Sequence, residues 1–261
     1  MSLNRCSKLA VALVVLLAVA AVPAAAVSIG GDAPDSVQSG EQQETTFTVT
    51  DPFENYEEWT LQASTDLTDV TWQVVTFDNA GNQIDEATLT GQSVSYDFAA
   101  SSGAVRAEVT ILGTVPSSSA WSWSYEPPQR ITYAEFVQAQ PGGASTTLET
   151  YNTRPYTTAS QDARTAISDA EAAISDAEGA GAGVSGAKSD LQDAIEFYNG
   201  GNFEQAVSNA EQAESAANSA ASSAERTDLI IMGAAALVVL LLIAGGVYWY
   251  LQQRDSYDKL G

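Results

Sequence analysis

The feature that most constrains this chain is an uninterrupted apolar run close to its C-terminus. Residues 229–251 are 23 positions without a charged side chain, and about 20 such residues are enough for a helix to cross the hydrocarbon core of a bilayer. Tyr248, Trp249 and Tyr250 match the aromatic belts that mark membrane interfaces. The sequence therefore predicts a transmembrane helix at 229–251, followed by a tail at 252–261.

The N-terminus has the residue order of a secretory signal peptide. Arg5 and Lys8 precede an apolar run at 9–22, and small residues follow at 24–26. We expect cleavage after Ala26; the alternative is an uncleaved anchor, for which the apolar run is short. With the basic residues that follow the C-terminal apolar run, this signal predicts a single-pass protein of the cell membrane, with an extracellular N-terminal domain and a cytoplasmic tail.

The charge balance and the missing residue types exclude several classes of function. The chain has 33 acidic and 10 basic residues, a formal net charge of −23, no histidine, and one cysteine, Cys6, which lies in the predicted signal peptide. Such a surface repels nucleic acid. Nucleophile–base pairs built on Cys or His are excluded, and zinc, haem and copper sites are not expected. We therefore predict a protein without a cofactor that is not an enzyme; an enzyme built on two carboxylates is the alternative.

The composition also resembles a known class of protein. Dispersed Asp and Glu, scarce Lys and abundant Ala, Thr and Ser are similar to the surface proteins of halophilic archaea. The resemblance is one of composition and architecture, not of a motif. It implies a chain that depends on molar salt, because salt screens the repulsion between its carboxylates and strengthens apolar burial.

Residues 27–153 show the two-residue alternation of half-buried strands. Segments such as "TTFTVT", "VTWQVVTF" and "AVRAEVTIL" alternate apolar with polar side chains and are separated by turn residues. Eight or nine such strands predict an antiparallel β-sandwich head with immunoglobulin-like architecture. The fold class is therefore α+β in separate domains, since the remainder of the chain has a helical period.

Residues 160–228 have an apolar residue every three or four positions, mostly alanine, and glycine-rich breaks at 179–183 and 199–201. They predict an alanine-rich three-helix stalk, joined to the head by a linker at 154–159. The segment resembles the alanine-rich helical hairpins of archaeal surface proteins. No helix-stop signal separates its third helix from the C-terminal apolar run, so we expect one continuous helix there.

Two groups of residues are candidate binding surfaces. In "AWSWSYE", Trp121, Trp123 and Tyr125 share one face of a predicted strand, where they form either part of the inter-sheet core, which the alternation with serine favours, or a platform for a sugar or protein. A stripe of small residues on the third helix serves either as a docking surface or, as we favour, as the inner face of a spacer. The stripe consists of Ala206, Ala210, Ala213 and Ala217.

Acidic residues cluster at two places in the predicted head. Carboxylates are the ligands that Ca²⁺ prefers, but the spacing here matches no calcium-binding loop, and solvated acids are the favoured interpretation. No metal ligand is therefore assigned. The clustered residues are Asp51, Glu54, Glu57 and Glu58 in one group, and Asp78, Asp85 and Glu86 in the other.

These observations predict a membrane-anchored binding, adhesion or cell-envelope protein whose head is held off the membrane by its helical stalk. Its partner would be a surface-layer protein or glycan. The alternative is an accessory subunit of a membrane complex for secretion, transport or filament assembly, docked through the helical segment. A purely structural envelope role and a carboxylate enzyme are further alternatives.

The charge balance generates a prediction about stability. We expect the urea midpoint of unfolding to rise when KCl is increased from about 0.1 M to about 2 M, because screening weakens repulsion between the carboxylates. The measurement is urea unfolding followed by circular dichroism. Sucrose, which does not screen charge, is the control, and equal stabilisation by sucrose and KCl would show that repulsion is not the destabilising term.

Overall fold

The computed structural model of this chain describes residues 27–254, without the side chains at 225, 227–235 and 250–254. The predicted signal peptide at 1–26 lies outside the described residues. The described chain divides into two compact units, a β unit of residues 27–120 and 130–155 and a helical unit of residues 121–129 and 156–254. The chain therefore leaves the β unit after residue 120, returns to it at 130, and leaves again at 156.

The β unit is built from strands that coincide with most of the alternating segments. The predicted strand "AWSWSYE" is absent from them, and two three-residue strands precede those that the alternation predicts. The bounds are β1 (Ser28–Gly30), β2 (Ser36–Gln38), β3 (Gln42–Thr50), β4 (Glu58–Ser64), β5 (Thr68–Phe77), β6 (Gln83–Thr90), β7 (Ser93–Ala99), β8 (Arg106–Thr114), β9 (Ile131–Ala139) and β10 (Ser145–Tyr156). Short 3₁₀ helices occupy Ala100–Ser102 and Ser118–Ala120.

The strands form two five-stranded sheets that pack together, as the alternation predicts. One sheet has the order β1-β3-β8-β5-β6 and the other β2-β10-β9-β4-β7. The central pairs β3–β8, β5–β8 and β4–β9 are antiparallel. The ends of the first sheet are β1 and β6, and those of the second are β2 and β7.

Large side chains from both sheets fill the space between them. Those that are at most 2 % exposed include Phe47, Trp59, Trp72, Ile111 and Phe136. Both buried indoles find an acceptor, because Trp59 Nε1 donates to the carbonyl of Pro52 at 2.6 Å and Trp72 Nε1 to that of Gly91 at 3.0 Å. Burying these N–H groups therefore leaves no donor unpaired, which is the condition for placing tryptophan in a core.

The helical unit contains α1 (Thr158–Gly179), α2 (Ser185–Asn199) and α3 (Phe203–Arg254) among the described residues. The predicted linker at 154–159 lies in β10 and α1 instead. Thr157 caps α1, since the backbone N–H of Ser160 donates to Thr157 Oγ1 at 3.1 Å and that of Thr157 to Ser160 Oγ at 2.8 Å. Strand and helix thus meet at a single capping residue.

The apolar stripes of the three helices face one another in a core made mostly of alanine. The buried residues are those that the helical period picks out, with isoleucine only at 167 and 174 of α1. They are Ala163, Ile167, Ala170, Ile174 and Ala177 in α1, Ala187, Ala194 and Tyr198 in α2, and Ala206, Ala210, Ala213 and Ala217 in α3. Small side chains let helices approach closely but bury little apolar area each.

The predicted transmembrane helix at 229–251 is contradicted. Over the part of the chain that the structure describes, no helix is both long and apolar enough to cross a membrane. The single-pass membrane localisation, the extracellular head, the cytoplasmic tail and the membrane as a partner depended on this helix and are corrected with it.

The helix itself is continuous. α3 runs without interruption from Phe203 to Arg254, a length of 52 residues. The absence of Pro and of a glycine cap between its polar and apolar halves accounts for this continuity.

The tight alanine core generates a prediction. Ala210 is fully buried, so Ala210→Leu should overpack the helical unit and lower its free energy of unfolding by about 1–3 kcal/mol. Ala172→Leu, on the exposed side of α1, is the matched control and should change stability by less than about 0.5 kcal/mol. Urea unfolding followed by helical circular dichroism measures both, and equal effects of the two substitutions would contradict the described packing.

Candidate functional site

The predicted platform residues lie in the helical unit and not on a strand. Residues 121–129 connect β8 to β9 in the sequence, yet they belong to the helical unit. We call the five rings that meet there the aromatic cluster. Its members are Trp121, Trp123, Tyr125, Tyr198 and Phe203.

The rings of the aromatic cluster contact one another edge to face. The centroids of Trp123 and Phe203 are 4.8 Å apart at an interplanar angle of 87°, and those of Trp121 and Trp123 are 5.6 Å apart at 79°. Tyr125 meets Tyr198 at 5.7 Å and 79°. This arrangement places the positive edge of one ring against the negative face of the next, and each such pair contributes about 0.5–1.5 kcal/mol beyond its buried area.

The turn between α2 and α3 positions the helical members of the cluster. Tyr198 lies in the last turn of α2 and Phe203 begins α3, so the short connection brings both rings to the same end of the bundle. Gly201 has φ +75°, and a Cβ at this position would lie 3.3 Å from Cδ1 of Trp123. Glycine therefore supplies both the left-handed conformation and the space that the Trp123 ring occupies.

Arg164 of α1 holds the segment 121–129 by contacting two backbone carbonyls of that segment and the ring of Tyr125. Its guanidinium carbon lies 4.5 Å from the ring centroid of Tyr125 and 5.5 Å from that of Tyr198. Its Nη2 donates to the carbonyl oxygen of Tyr125 and, at 3.4 Å, to that of Ser124. A planar guanidinium can stack and donate at once, which a lysine ammonium cannot do.

Two further contacts fix Tyr125. Its backbone N–H donates to Asn199 Oδ1 at 2.7 Å, and its hydroxyl donates to Glu171 Oε2 at 3.0 Å. Burial, followed by the hydrogen bond to the Glu171 carboxylate, raises the pKa of Tyr125 above the ordinary tyrosine value. The hydroxyl therefore stays protonated and remains a donor throughout the neutral pH range.

The three predicted platform residues differ in exposure. Tyr125 is buried, whereas Trp121 and Trp123 are half-buried. Trp121 Nε1 and the Tyr198 hydroxyl are buried and have no hydrogen-bond partner among the described residues. Tyr125 is thus an anchor of the segment, and the two tryptophans keep partial access to solvent, as Phe203 does on the helical side of the cluster.

The predicted docking stripe on α3 is fully occupied by the other helices. Ala206, Ala210, Ala213 and Ala217 are all 0 % exposed. They form part of the core of the helical unit, so no partner reaches them in this fold.

The acidic cluster of Asp78, Asp85 and Glu86 accepts hydrogen bonds within the β unit. Asp78 accepts from the backbone N–H groups of Ala80 and Asn82, each at 2.8 Å, and its hydrogen bonds with Asn82 lower the pKa of its carboxyl. Asp85 accepts from the Tyr96 hydroxyl at 2.7 Å. Within residues 27–254 no group of three or more His, Cys, Asp or Glu side chains is arranged to hold a metal ion.

Sequence inspection missed the residues that hold the segment in place, which are Arg164, Glu171, Asn199, Tyr198 and Phe203. One sequence signal was available for Arg164. Basic residues are scarce in this chain, and an arginine between the alanines of an otherwise acidic helix indicates a specific partner.

Comparison with known proteins does not place the chain in a family. No family model and no curated protein matches it. Solved structures give weak likenesses, of which one is a DUF4466 family protein from Parabacteroides merdae, with 14 % identity, a TM-score of 0.31, and coverage of 50 % of this chain and 46 % of that one.

Two other structures show still lower similarity. The accessory secretory protein 1, 2 and 3 structure from Streptococcus pneumoniae has 14 % identity and a TM-score of 0.23, covering 36 % of this chain and 78 % of that one. The enzymatically active domain of tailspike protein 4 of bacteriophage CBA120 has 19 % identity and a TM-score of 0.23, covering 35 % and 16 %. Likenesses of this size carry no argument about fold or function.

The contacts of Arg164 generate a prediction. Arg164→Ala should lower the free energy of unfolding of the helical unit by about 2–3 kcal/mol, because it removes hydrogen bonds from a charged donor and a cation–π contact. Arg164→Lys should recover less than half of this loss, since lysine cannot stack and donate together. Urea unfolding followed by helical circular dichroism is the measurement.

The exposed ion pair between Lys188 and Glu178, with side chains 54 % and 48 % exposed, provides the control. Lys188→Met should cost less than about 0.5 kcal/mol. Wild-type stability in Arg164→Lys would mean that charge alone, and not the planar guanidinium, holds the segment.

Proposed function

We propose that this chain is a non-enzymatic binding protein that captures a protein or a glycan on the rings of Trp121 and Trp123. The observation that carries this proposal is the combination of fixed geometry and solvent access. Both indoles are half-buried, and both are held by edge-to-face contacts within the aromatic cluster.

Preorganisation supports a binding role for these rings. Trp123 lies between Trp121 and Phe203 and against Gly201, so its side chain is held in place before any ligand arrives. A ring that is already immobilised loses little conformational freedom on binding, and this loss is one of the main costs of association. Tyr125, anchored by Arg164 and Asn199, keeps the backbone of the segment fixed beneath them.

The chemistry of the exposed surface indicates the classes of partner. Tryptophan offers a large apolar face, suited to stacking on the apolar face of a sugar ring or to filling a pocket of a protein, and it is enriched among the residues that dominate protein interfaces.

The polar groups around the aromatic cluster support binding over catalysis. Arg164, Glu171 and Asn199 are each committed to a contact with Tyr125. These contacts give all three side chains a role in fixing the segment, which a binding function requires. Hydrolytic or transfer activity of the purified full chain that is lost in Glu171→Gln would contradict this part of the proposal.

A second candidate function is docking of a partner subunit on the apolar part of α3. Every side chain described between 236 and 249 is exposed, with Leu242 at 71 % and Trp249 at 62 %. The partner in this case is a protein with an apolar helical surface. The two candidates use different tryptophans, so substitution separates them.

The test uses a photoreactive p-benzoylphenylalanine in place of Trp121 in the full chain, with the same group at Ser208 of α3, an exposed position outside the cluster, as the control. The species that is cross-linked at Trp121 only is then purified, and its affinity is measured for the wild-type chain and for two variants. Trp121→Ala together with Trp123→Ala should weaken binding about 30-fold or more, because buried tryptophans at interfaces cost about 2 kcal/mol or more when truncated.

Trp249→Ala is the matched control and should leave the affinity unchanged. Loss of binding in Trp249→Ala with full binding in the double variant would replace the proposal with docking on α3. Unfolding curves of all variants distinguish lost binding from a lost fold, since the double variant removes two ring contacts from the helical unit.

A further inference from the structure

The β unit has one long open side. At this side the first sheet ends in β6 and the second in β7, strands of eight and seven residues. At the opposite ends the sheets close with β1 and β2, which are three residues each. Short terminal strands offer few free backbone groups, and long ones offer a template for another strand.

The outer edge of β6 is not paired with another strand in the described sheets. β6 pairs with β5, and it is the last strand in its sheet, so the backbone groups that point away from β5 have no strand partner in the described sheet order. The side chains of residues 83–86 are exposed, as are Thr88 and Thr90. The edge is therefore lined mostly by solvent-exposed residues.

An irregularity in the pairing turns an apolar side chain to the surface of this edge. Thr76 pairs with Asp85 and Phe77 with Gln83, so Ile84 is the extra residue of a β-bulge. Ile84 is 40 % exposed, whereas the large apolar side chains of the sandwich core are buried. The bulge thus presents one apolar contact beside the free backbone groups.

The charge of the edge is negative and is not balanced by basic side chains. Glu86 accepts from the side-chain amides of Gln73 and Gln83, at 2.6 and 2.9 Å, and Asp85 accepts from the Tyr96 hydroxyl. All of these donors are neutral. A cationic strand added here would bring its charges beside Asp85 and Glu86 at little desolvation cost.

The same charges disfavour self-association through this edge. An antiparallel pair of β6 strands from two copies would place Asp85 and Glu86 of each copy near those of the other, and like charges across paired strands are destabilising. The occupant that fits is therefore a different chain and not a second copy.

We propose that the free edge of β6 binds an extended, lysine- or arginine-bearing segment of a partner protein by strand addition. The backbone of the segment forms a sixth strand beside β6, its basic side chains lie beside Asp85 and Glu86, and an apolar side chain contacts Ile84. This site is separate from the aromatic cluster, and it stands whether or not the tryptophan surface binds a partner.

The experiment uses the full chain and a synthetic octapeptide of alternating lysine and valine. The expected result is saturable binding, with slowed hydrogen exchange at the outward-facing amides of residues 83–90. Two peptides serve as controls: the same sequence with alternate backbone amides N-methylated, which keeps the charge but cannot extend a sheet, and a glutamate–valine octapeptide.

Substitutions provide the matched comparison on the protein. Asp85→Asn with Glu86→Gln should weaken binding about fivefold or more, whereas Asp162→Asn with Asp169→Asn, two exposed acids of α1, should have no effect. Neighbouring residues of a strand direct their N–H groups to opposite sides. One of the two substitutions Ala87→Pro and Thr88→Pro therefore removes an outward-facing N–H of β6, and the other removes an N–H that donates to β5. The variant that loses the outward-facing N–H should fold and fail to bind, because proline is tolerated at an edge only where its position does not donate to the ladder.

Equal binding of the N-methylated peptide would overturn the proposal, since it would reduce the contact to charge attraction. Protection outside 83–90, equal weakening by the α1 substitutions, or no binding of the lysine–valine peptide would do the same. Dimerisation of the chain through β6 in the absence of peptide would also overturn it, by assigning the edge to a second copy.

Discussion

The packing of the helical unit depends on its alanine core. Alanine lets three helices approach closely, but each pair buries little apolar area, so the bundle needs larger side chains somewhere. The aromatic cluster supplies them at the end where Tyr198 closes α2 and Phe203 opens α3. Segment 121–129 contributes three of the five rings, which makes a connection between two strands part of the helical core.

Three of the scarce basic residues make specific contacts. Arg164 holds Tyr125, Arg106 lies over the ring of Phe77 at 4.3 Å and pairs with Glu108, and Lys188 pairs with Glu178. The carboxylates of β6 accept hydrogen bonds from neutral donors instead. This imbalance links three properties of the chain: the expected dependence of stability on salt, the preference of the β6 edge for a cationic segment, and the repulsion between copies.

The sequence by itself determined the local elements. The two-residue alternation located the strands from β3 to β10, and the three-to-four-residue spacing located Ala163, Ile167 and the other buried positions of the bundle. Glycine breaks located the ends of α1 and α2, because few other residues end a helix in the left-handed conformation. These features depend on neighbours within a few positions, which is why a single sequence contains them.

Only the tertiary structure decided where residues 121–129 belong. Their alternation of aromatic residue and serine has the period of a strand, but the rings pack on Tyr198 and Phe203, more than 70 positions later, and contacts of that separation leave no periodic trace. The same limit applies to the α3 alanines, because their stripe fits an inner face and a docking face equally well. It also applies to the apolar run of α3, where composition predicted a membrane span that the described helix does not support. Periodicity determines which residues share a face, and packing determines what that face meets.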